Sequence, residues 1–323
     1  MIRFLLGTFF TIFFLYALAT QIHSAELVNQ LSELDYGWTL LAILFFIIGY
    51  SARIERWRVM LVRDNPIISW KDCAGPLLAS VAANNVLPFR VGDLLRGFNF
   101  NKRLGIRVGV SIASLFVERI LDLAVILTIF GLSVSVFSQE ITGLLGVGGG
   151  LILLITIFVF MGLLIPGLIK PFINLIIYIT VTYLSLALSK KISRQVKISF
   201  AYIQYLSKSK SMFLLLGWSF IAWIAEGLFF LFIAIAIPKV DYAFGALCAM
   251  VVGTLSTIIP SAPGYIGTFH YFTANAMSFS GNEISISIFY AFIVHILMWM
   301  LTTSIGGIYF LVMSINSRKA NVG

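Results

Sequence analysis

Cysteine and charge are both scarce in this chain, and each scarcity removes a class of protein. Its two cysteines, Cys73 and Cys248, lie in or beside apolar stretches and cannot by themselves build a disulfide framework or a metal site. Charged residues make up only 11% of the 323 residues while 60% are hydrophobic, a balance that no ordinary soluble globular domain approaches. Acids are the rarer sign, 13 against 22 lysines and arginines, for a net charge of +9. The basic residues sit in a few short connections between apolar runs. That placement is the orientation signal of a membrane protein, not the footprint of a nucleic-acid binder. Such a surplus also attracts the anionic inner leaflet, by about 1 kcal/mol per residue near the surface. No Asp-x-Asp or His-x-x-x-x-Asp stands at a cytoplasmic membrane edge, so the usual signatures of a lipid-modifying enzyme are missing. Neither a cofactor nor a metal is expected.

A bilayer core takes about 20 apolar residues per helical span, and several runs reach or approach that length. Residues 4–20 follow Arg3 and read as a retained first span. Ala17-Leu18-Ala19 would also suit signal-peptide cleavage, but a single basic residue precedes the run. Residues 38–52 return inward and end in Arg53, Arg56, Arg58, Arg63 and Lys71. Residues 73–88 are basic on both flanks and read as re-entrant from the cytoplasmic side. Residues 108–137 run outward and 144–169 inward, the latter opening on Gly146, Gly148, Gly149 and Gly150, which suit close helix packing. Residues 172–189 either span or lie at the interface. They open a basic segment, about 171–210, in which Ile192, Val196, Phe200 and Ile203 recur at helical spacing opposite Lys190, Arg194, Lys197 and Lys208. Residues 212–237 run outward. Residues 244–263 and 265–279 read as a second re-entrant hairpin, and 284–315 run inward to Arg318 and Lys319. In this topology Lys239 alone of the basic residues is outside and Arg119 alone is within a span. Glu26, Glu33, Asp35, Glu140, Asp241 and Glu283 face outside. The fold expected is one polytopic all-α integral membrane domain, 1–323. It has about six transmembrane helices plus two re-entrant broken helical hairpins, in halves of about 1–137 and 144–315, with both termini cytoplasmic.

Three constellations can carry chemistry. In the first, Asn84 and Asn85 precede Pro88 and Gly92, where the helix should break, and Arg90, Asp93 and Arg96 follow at spacings that share a helical face. Arginine suits a bidentate grip on phosphate. The bland alternative is a set of anchoring charges, with Asp93 paired to an arginine. The second is Glu118-Arg119-Ile120-Leu121-Asp122, where the two acids share a face and Arg119 is placed to neutralise one of them. Glu226, alone among aromatic and aliphatic neighbours, reads the same way. Either a salt-bridge clamp or a headgroup or proton site would explain these intramembrane charges. The third runs from Pro260 through Pro263, Gly264 and Gly267 to His270, which can titrate near neutral pH but is as readily a hydrogen-bonded core residue. His295 is the weaker candidate of the two histidines. Leu87-Pro88 followed by Gly92 and Ile259-Pro260 followed by Gly264 have the same spacing, as the interrupted segments of an inverted-repeat transporter do.

Taken in order, these elements resemble the flippase-like membrane domain of the lysylphosphatidylglycerol synthetase family, which includes the membrane half of the multiple peptide resistance factor. The matching residues are Arg56-Trp57-Arg58, then Asn84, Leu87-Pro88, Arg90, Gly92, Asp93 and Arg96. Glu118-Arg119 with Asp122 follow, and then Pro260, Pro263-Gly264 and Gly267. The resemblance covers essentially the whole chain. It implies a polytopic protein that translocates or handles a lipid, with the polar groups of the broken helices around the headgroup. The family pattern has an acid where His270 stands, which leaves the charge of the preferred lipid open. The chain ends at Gly323, so lysyl transfer by a soluble aminoacyl-transferase domain is not expected.

The leading expectation is therefore a lipid flippase-like transporter of the bacterial inner membrane that acts on a phospholipid or glycolipid headgroup. Arg90 and Arg96 would grip a phosphate, while Glu118, Asp122 and Glu226 accommodate a cationic or hydroxyl-rich group or carry protons. An intramembrane enzyme acting on lipid or polyprenyl-linked sugar, and a non-catalytic subunit of an envelope-assembly complex, are the rivals. Membrane lipids are the expected partners. A homo-oligomer is left open.

Overall fold

The computed structural model describes residues 12–14, 16–18, 20, 30–87, 90–137, 144–208, 210–259 and 261–320, leaving aside the side chains of 133–137, 144–150, 153 and 314–320. Most of the first apolar run, Glu26, Pro88, Glu140 and Pro260 therefore lie outside the described residues. All regular structure among the described residues is helical. The elements are α1 (Tyr36–Leu61), α2 (Trp70–Val86), α3 (Val91–Phe98), α4 (Asn101–Leu104), α5 (Val108–Phe137) and α6 (Leu144–Leu164). After them come α7 (Lys170–Tyr183), α8 (Leu186–Ser207), α9 (Ser211–Ala236), α10 (Gly245–Ser256), α11 (Thr268–Phe279) and α12 (Ile284–Ala320). Four stretches are long and apolar enough to cross a membrane: Tyr36–Leu61, Pro166–Tyr183, Ser211–Ala236 and Ile284–Met313.

Local chemistry sets the helix starts and stops. Asp35 caps α1 by accepting from Gly37 N at 2.7 Å and Trp38 N at 3.2 Å. Ser69 and Asp72 form a reciprocal capping box that starts α2. α2 stops at Val86 because Leu87 turns extended (φ −103°, ψ 144°), as a residue before proline does. The 172–189 run is divided in the same way: α7 ends at Tyr183, Leu184 is extended, and the basic amphipathic helix α8 begins at Leu186. In α8, Ile203 is buried while Lys190, Arg194 and Lys197 are exposed.

α1 and α9 form a long antiparallel pair. Asp35 N donates to Ala236 O at one end, and Arg56 reaches Ser219 near the other. α12 packs antiparallel along α2, where Asn85 Nδ2 donates to Thr302 at 2.9 Å and Thr303 at 3.0 Å. α2 and α3 fold back on one another, and so do α10 and α11. The first fold depends on Gly92: a Cβ there would lie 1.7 Å from Ser80 O, so no larger residue lets α3 come this close to α2. The second turns through Gly264 (φ 71°) and Tyr265 (φ 59°) before α11. Two apolar clusters hold the bundle, one around Phe46, Phe229, Phe230 and Tyr290 and one around Trp57, Leu77, Phe100 and Leu121; Tyr50 packs against both.

α1 differs from its expected form. The apolar run was expected to close at residue 52 with its arginines at the membrane edge, but the helix continues to Leu61. Arg56 is only 1% exposed and Arg53 is half-buried, because α9 and α5 bring carboxylates to them. They join Arg119 as charges inside the bundle.

Candidate functional site

The two breaks meet. Asn85 O, at the end of α2, faces Gly264, whose Cβ would lie 3.1 Å from it. Arg90 starts α3 in the left-handed conformation (φ 53°, ψ 43°) and carries its guanidinium over to the second break. There it donates to Thr257 Oγ1 at 3.1 Å and lies over the Tyr265 ring at 5.9 Å. A left-handed backbone on a residue with a side chain costs about 1–3 kcal/mol and persists only where the surroundings hold it.

At this junction lies a cavity of about 230 Å³ lined by residues of α1, α2, α3, α5, α9, α10, α11 and α12. Asn84, Asn85, Arg90, Asp93, Arg96, Glu118, Arg119, Asp122 and Glu226 all line it, so nearly every candidate binding residue of the sequence converges on one space. His270 does not. It sits one layer back, where its Nδ1 accepts from Gly267 N at 3.3 Å and its Nε2 meets His295 Nδ1 at 3.0 Å. In neutral His270 that acceptance leaves the proton on Nε2, which donates to His295. His295, the weaker candidate by sequence, is the histidine that lines the cavity.

The ion pairs around the cavity run between helices, not along them. Arg119 was expected to neutralise Glu118 or Asp122 on its own helix; it pairs instead with Asp93 of α3 at 2.8 Å. Glu118 and Asp122 are already engaged by Arg96 and Arg56, so the carboxylate left for Arg119 is Asp93 on the helix packed against α5. Glu118 is taken by Arg96 at 2.8 Å and approached by Arg56 at 4.0 Å. Asp122 is taken by Arg56 at 2.7 Å and by Trp223 Nε1 at 2.9 Å. Glu226 is in contact with Arg53, whose guanidinium also lies 5.0 Å from the Trp223 ring and 5.1 Å from the Tyr50 ring. Asn84 Nδ2 holds the other oxygen of Asp93 at 3.1 Å. Arg90, Asp93 and Arg96 therefore do not act from a common face: Arg90 caps the helix and points to the second break, while the other two turn to α5.

A charge at the bilayer centre costs about 2.5–3.5 kcal/mol even on the lenient scale, so this density of charge requires mutual pairing. Around the cavity stand five guanidiniums (Arg53, Arg56, Arg90, Arg96, Arg119) and four carboxylates (Asp93, Glu118, Asp122, Glu226). Arg90 is the one of the five with no carboxylate partner among the described residues. Glu118 Oε2 is buried and without a hydrogen-bond partner. One surplus cation thus lines the cavity, a charge that fits a ligand with an anionic group.

Sequence reasoning missed Arg53, Thr257 and Tyr265 as site residues. For Arg53 a signal existed: Tyr50, Arg53 and Arg56 recur every three residues on one helical face. His295, Trp299 and Thr302 likewise share a face of α12. Nothing local distinguishes Tyr265.

Comparison with known proteins places these features in context. The model of the family described as the lysylphosphatidylglycerol synthase TM region matches residues 2–306. The glycosyltransferase AglD of Haloferax volcanii is 29% identical over 147 residues, 44% of this chain. That match spans 22% of the AglD length. No solved structure matches. With four candidate spans, the chain is a multi-pass membrane protein.

Proposed function

The chain belongs to the lysylphosphatidylglycerol synthase transmembrane-region family, and from that premise we propose that it is a flippase-like transporter that takes a lipid headgroup into the central cavity and passes it across the bilayer. The observation that carries this reading is the uncompensated Arg90 at the meeting point of two broken helices. A phosphate there gains a guanidinium with no competing carboxylate. The carboxylates that line the cavity are then placed to receive an amine or hydroxyl of the same headgroup. Drug-sized ligands occupy about 300–1,000 Å³. A cavity of about 230 Å³ accommodates a headgroup and leaves the acyl chains in the membrane.

The topology proposed with it has about six spans, with α2–α3 and α10–α11 as re-entrant hairpins of an inverted repeat. Residues 61–70, the start of α5, α8 and the last turns of α12 lie toward one end of the bundle, where Arg63, Lys71, Arg103, Arg107 and Arg194 are found. Asp35, Asp241 and Glu283 lie toward the other. The basic end is the cytoplasmic one by the positive-inside rule, in a bacterial inner membrane with both termini inside. A second reading, an intramembrane enzyme acting on lipid or polyprenyl-linked sugar, draws support from the similarity to a glycosyltransferase. It is less favoured, because each acid of the cavity is already held by an arginine. A non-catalytic role in an envelope-assembly complex has no specific observation in its favour.

The test is a leaflet-resolved assay of lipid transfer in liposomes containing the purified protein. Arg90→Ala and Glu118→Gln should each lower transfer at unchanged protein incorporation. Unchanged transfer in both variants refutes the assignment, and a covalently altered lipid in the product moves the reading to the enzyme.

A further inference from the structure

A second cavity, which shares no lining residue with the first, lies at the basic end of the bundle. It measures about 390 Å³ and is lined by Arg63, Arg107, Gly109, Val110, Ala113, Arg194, Ile198, Ala201 and Tyr202. Its three arginines come from the segment after α1, the lead-in to α5 and the surface helix α8, so the site exists only in the folded chain.

The charge balance differs in kind from that of the central cavity. One carboxylate stands here: Asp64, which is bound by Arg107 at 2.5 Å. Arg63 lies over the Tyr205 ring at 4.1 Å and has no carboxylate within ion-pair distance among the described residues; nor has Arg194. Two exposed guanidiniums remain to attract an anion. The floor between them is apolar: Ala113 is 0% exposed, Val110 8% and Tyr202 2%, the Tyr202 hydroxyl donating to Met60 O. Small residues leave the space open, since Gly109 and Ala113 present little side chain beneath Ile198. Phosphate alone would use the arginines and waste the floor. Just before α8 in the chain, the apolar Pro166–Tyr183 stretch is only 6% buried within the protein.

From this arrangement we infer that the groove between α5 and α8 is a binding site for the headgroup of an anionic phospholipid. Its phosphate sits between Arg63 and Arg194, and its glycerol backbone and upper acyl chain lie on Val110, Ala113 and Ile198. The bound lipid ties the surface helix to the core of the bundle. This site is separate from the transport cavity and uses none of its residues, so it stands whether or not the transport reading does.

A photoactivatable short-chain phosphatidylglycerol, with the reactive group high on its acyl chain, tests the inference by location. The purified protein in nanodiscs is irradiated, and labelled peptides are mapped by mass spectrometry. Label is expected on residues 107–113 and 194–205. Arg63→Gln and Arg194→Gln, both exposed positions, should each lower it about fivefold, while Arg90→Gln leaves it unchanged. The matching phosphatidylcholine probe should label the groove weakly, and inorganic phosphate should not displace the lipid at equal concentration. Equal labelling by phosphatidylcholine, or unchanged labelling in both groove variants, overturns the inference. Displacement by inorganic phosphate alone identifies a free anion as the occupant and overturns it as well. Failure of the transport reading shows differently, as unchanged lipid transfer in Arg90→Ala with groove labelling intact.

Discussion

Arg90 Nη2 of the first helix break donates to Thr257 Oγ1 of the second at 3.1 Å. This bond crosses 167 residues of sequence and joins the two interrupted elements over the cavity. Arg90 is thus both a fastening between the hairpins and the free positive charge of the site. The two roles separate on substitution. Arg90→Lys retains the charge and loses the planar fork, so it should keep part of the lipid transfer that Arg90→Ala loses, at similar thermal stability. If lysine and alanine are equally inactive, bidentate geometry and not charge is what the site uses.

Glu226 and Arg53 form a contact that neither can leave cheaply. Removing one member of a buried pair strands the other, at a cost of about 3–5 kcal/mol. Arg53→Gln should therefore lower the unfolding midpoint clearly, and Glu226→Gln less, because the Arg53 it leaves behind retains partial exposure. The double variant should recover part of the loss. Thermal unfolding in detergent, read by tryptophan fluorescence as a double-mutant cycle, measures the coupling. Additive losses would mean that the pair contributes nothing as a pair.

Two glycines make opposite predictions. In Gly92→Ala the new methyl would sit 1.7 Å from Ser80 O, so α3 must move off α2; overpacking of this kind costs about 1–3 kcal/mol. The shift also carries Asp93 away from Asn84, so transfer should fall with stability. Gly217→Ala, in the second turn of α9, meets nothing within 4 Å and should stabilise the helix by up to about 1 kcal/mol. Unfolding midpoints of the two variants, measured side by side, check both signs.

Asp64 ties the segment after α1 to the start of α5, accepting from Arg107 through both its side chain and its backbone N–H. The Arg107 hydrogen bonds hold its carboxyl below the usual carboxylate range. A depressed acid stabilises above its unfolded pKa of about 3.9 and loses that contribution as pH falls through the lower folded value. The anchor should therefore be intact at neutral pH and slacken only below about pH 4. Amide hydrogen exchange over residues 62–69 should speed up there, and Asp64→Asn should show the faster exchange already at neutral pH. The effect is local and small, since Arg107 is largely exposed.

Much of the cavity could be read along the chain because its residues violate local rules. Charges in an apolar run are costly at membrane depth, and clustered prolines and glycines there break a helix whose freed backbone groups need partners. That logic marks Asn84 through Arg96, Glu118 through Asp122, and Glu226. It fails for Arg53 and Arg56, which stand at the end of an apolar run where basic residues ordinarily meet water. It also ranks His270 above His295, since proximity to a helix break is visible in sequence whereas the face a helix turns inward is less so.

Composition and the spacing of breaks determined that this is a helical membrane protein with two interrupted hairpins, because hydrophobicity and backbone constraints act residue by residue. The pairing of charges was decided only by tertiary structure. Arg119 goes to Asp93, Arg96 to Glu118, Arg56 to Asp122 and Arg53 to Glu226 because α3, α5, α1 and α9 face one another across a shared space. Coulomb attraction selects the nearest opposite charge in three dimensions, and helix packing sets which one that is. The same packing leaves Arg90 without a carboxylate.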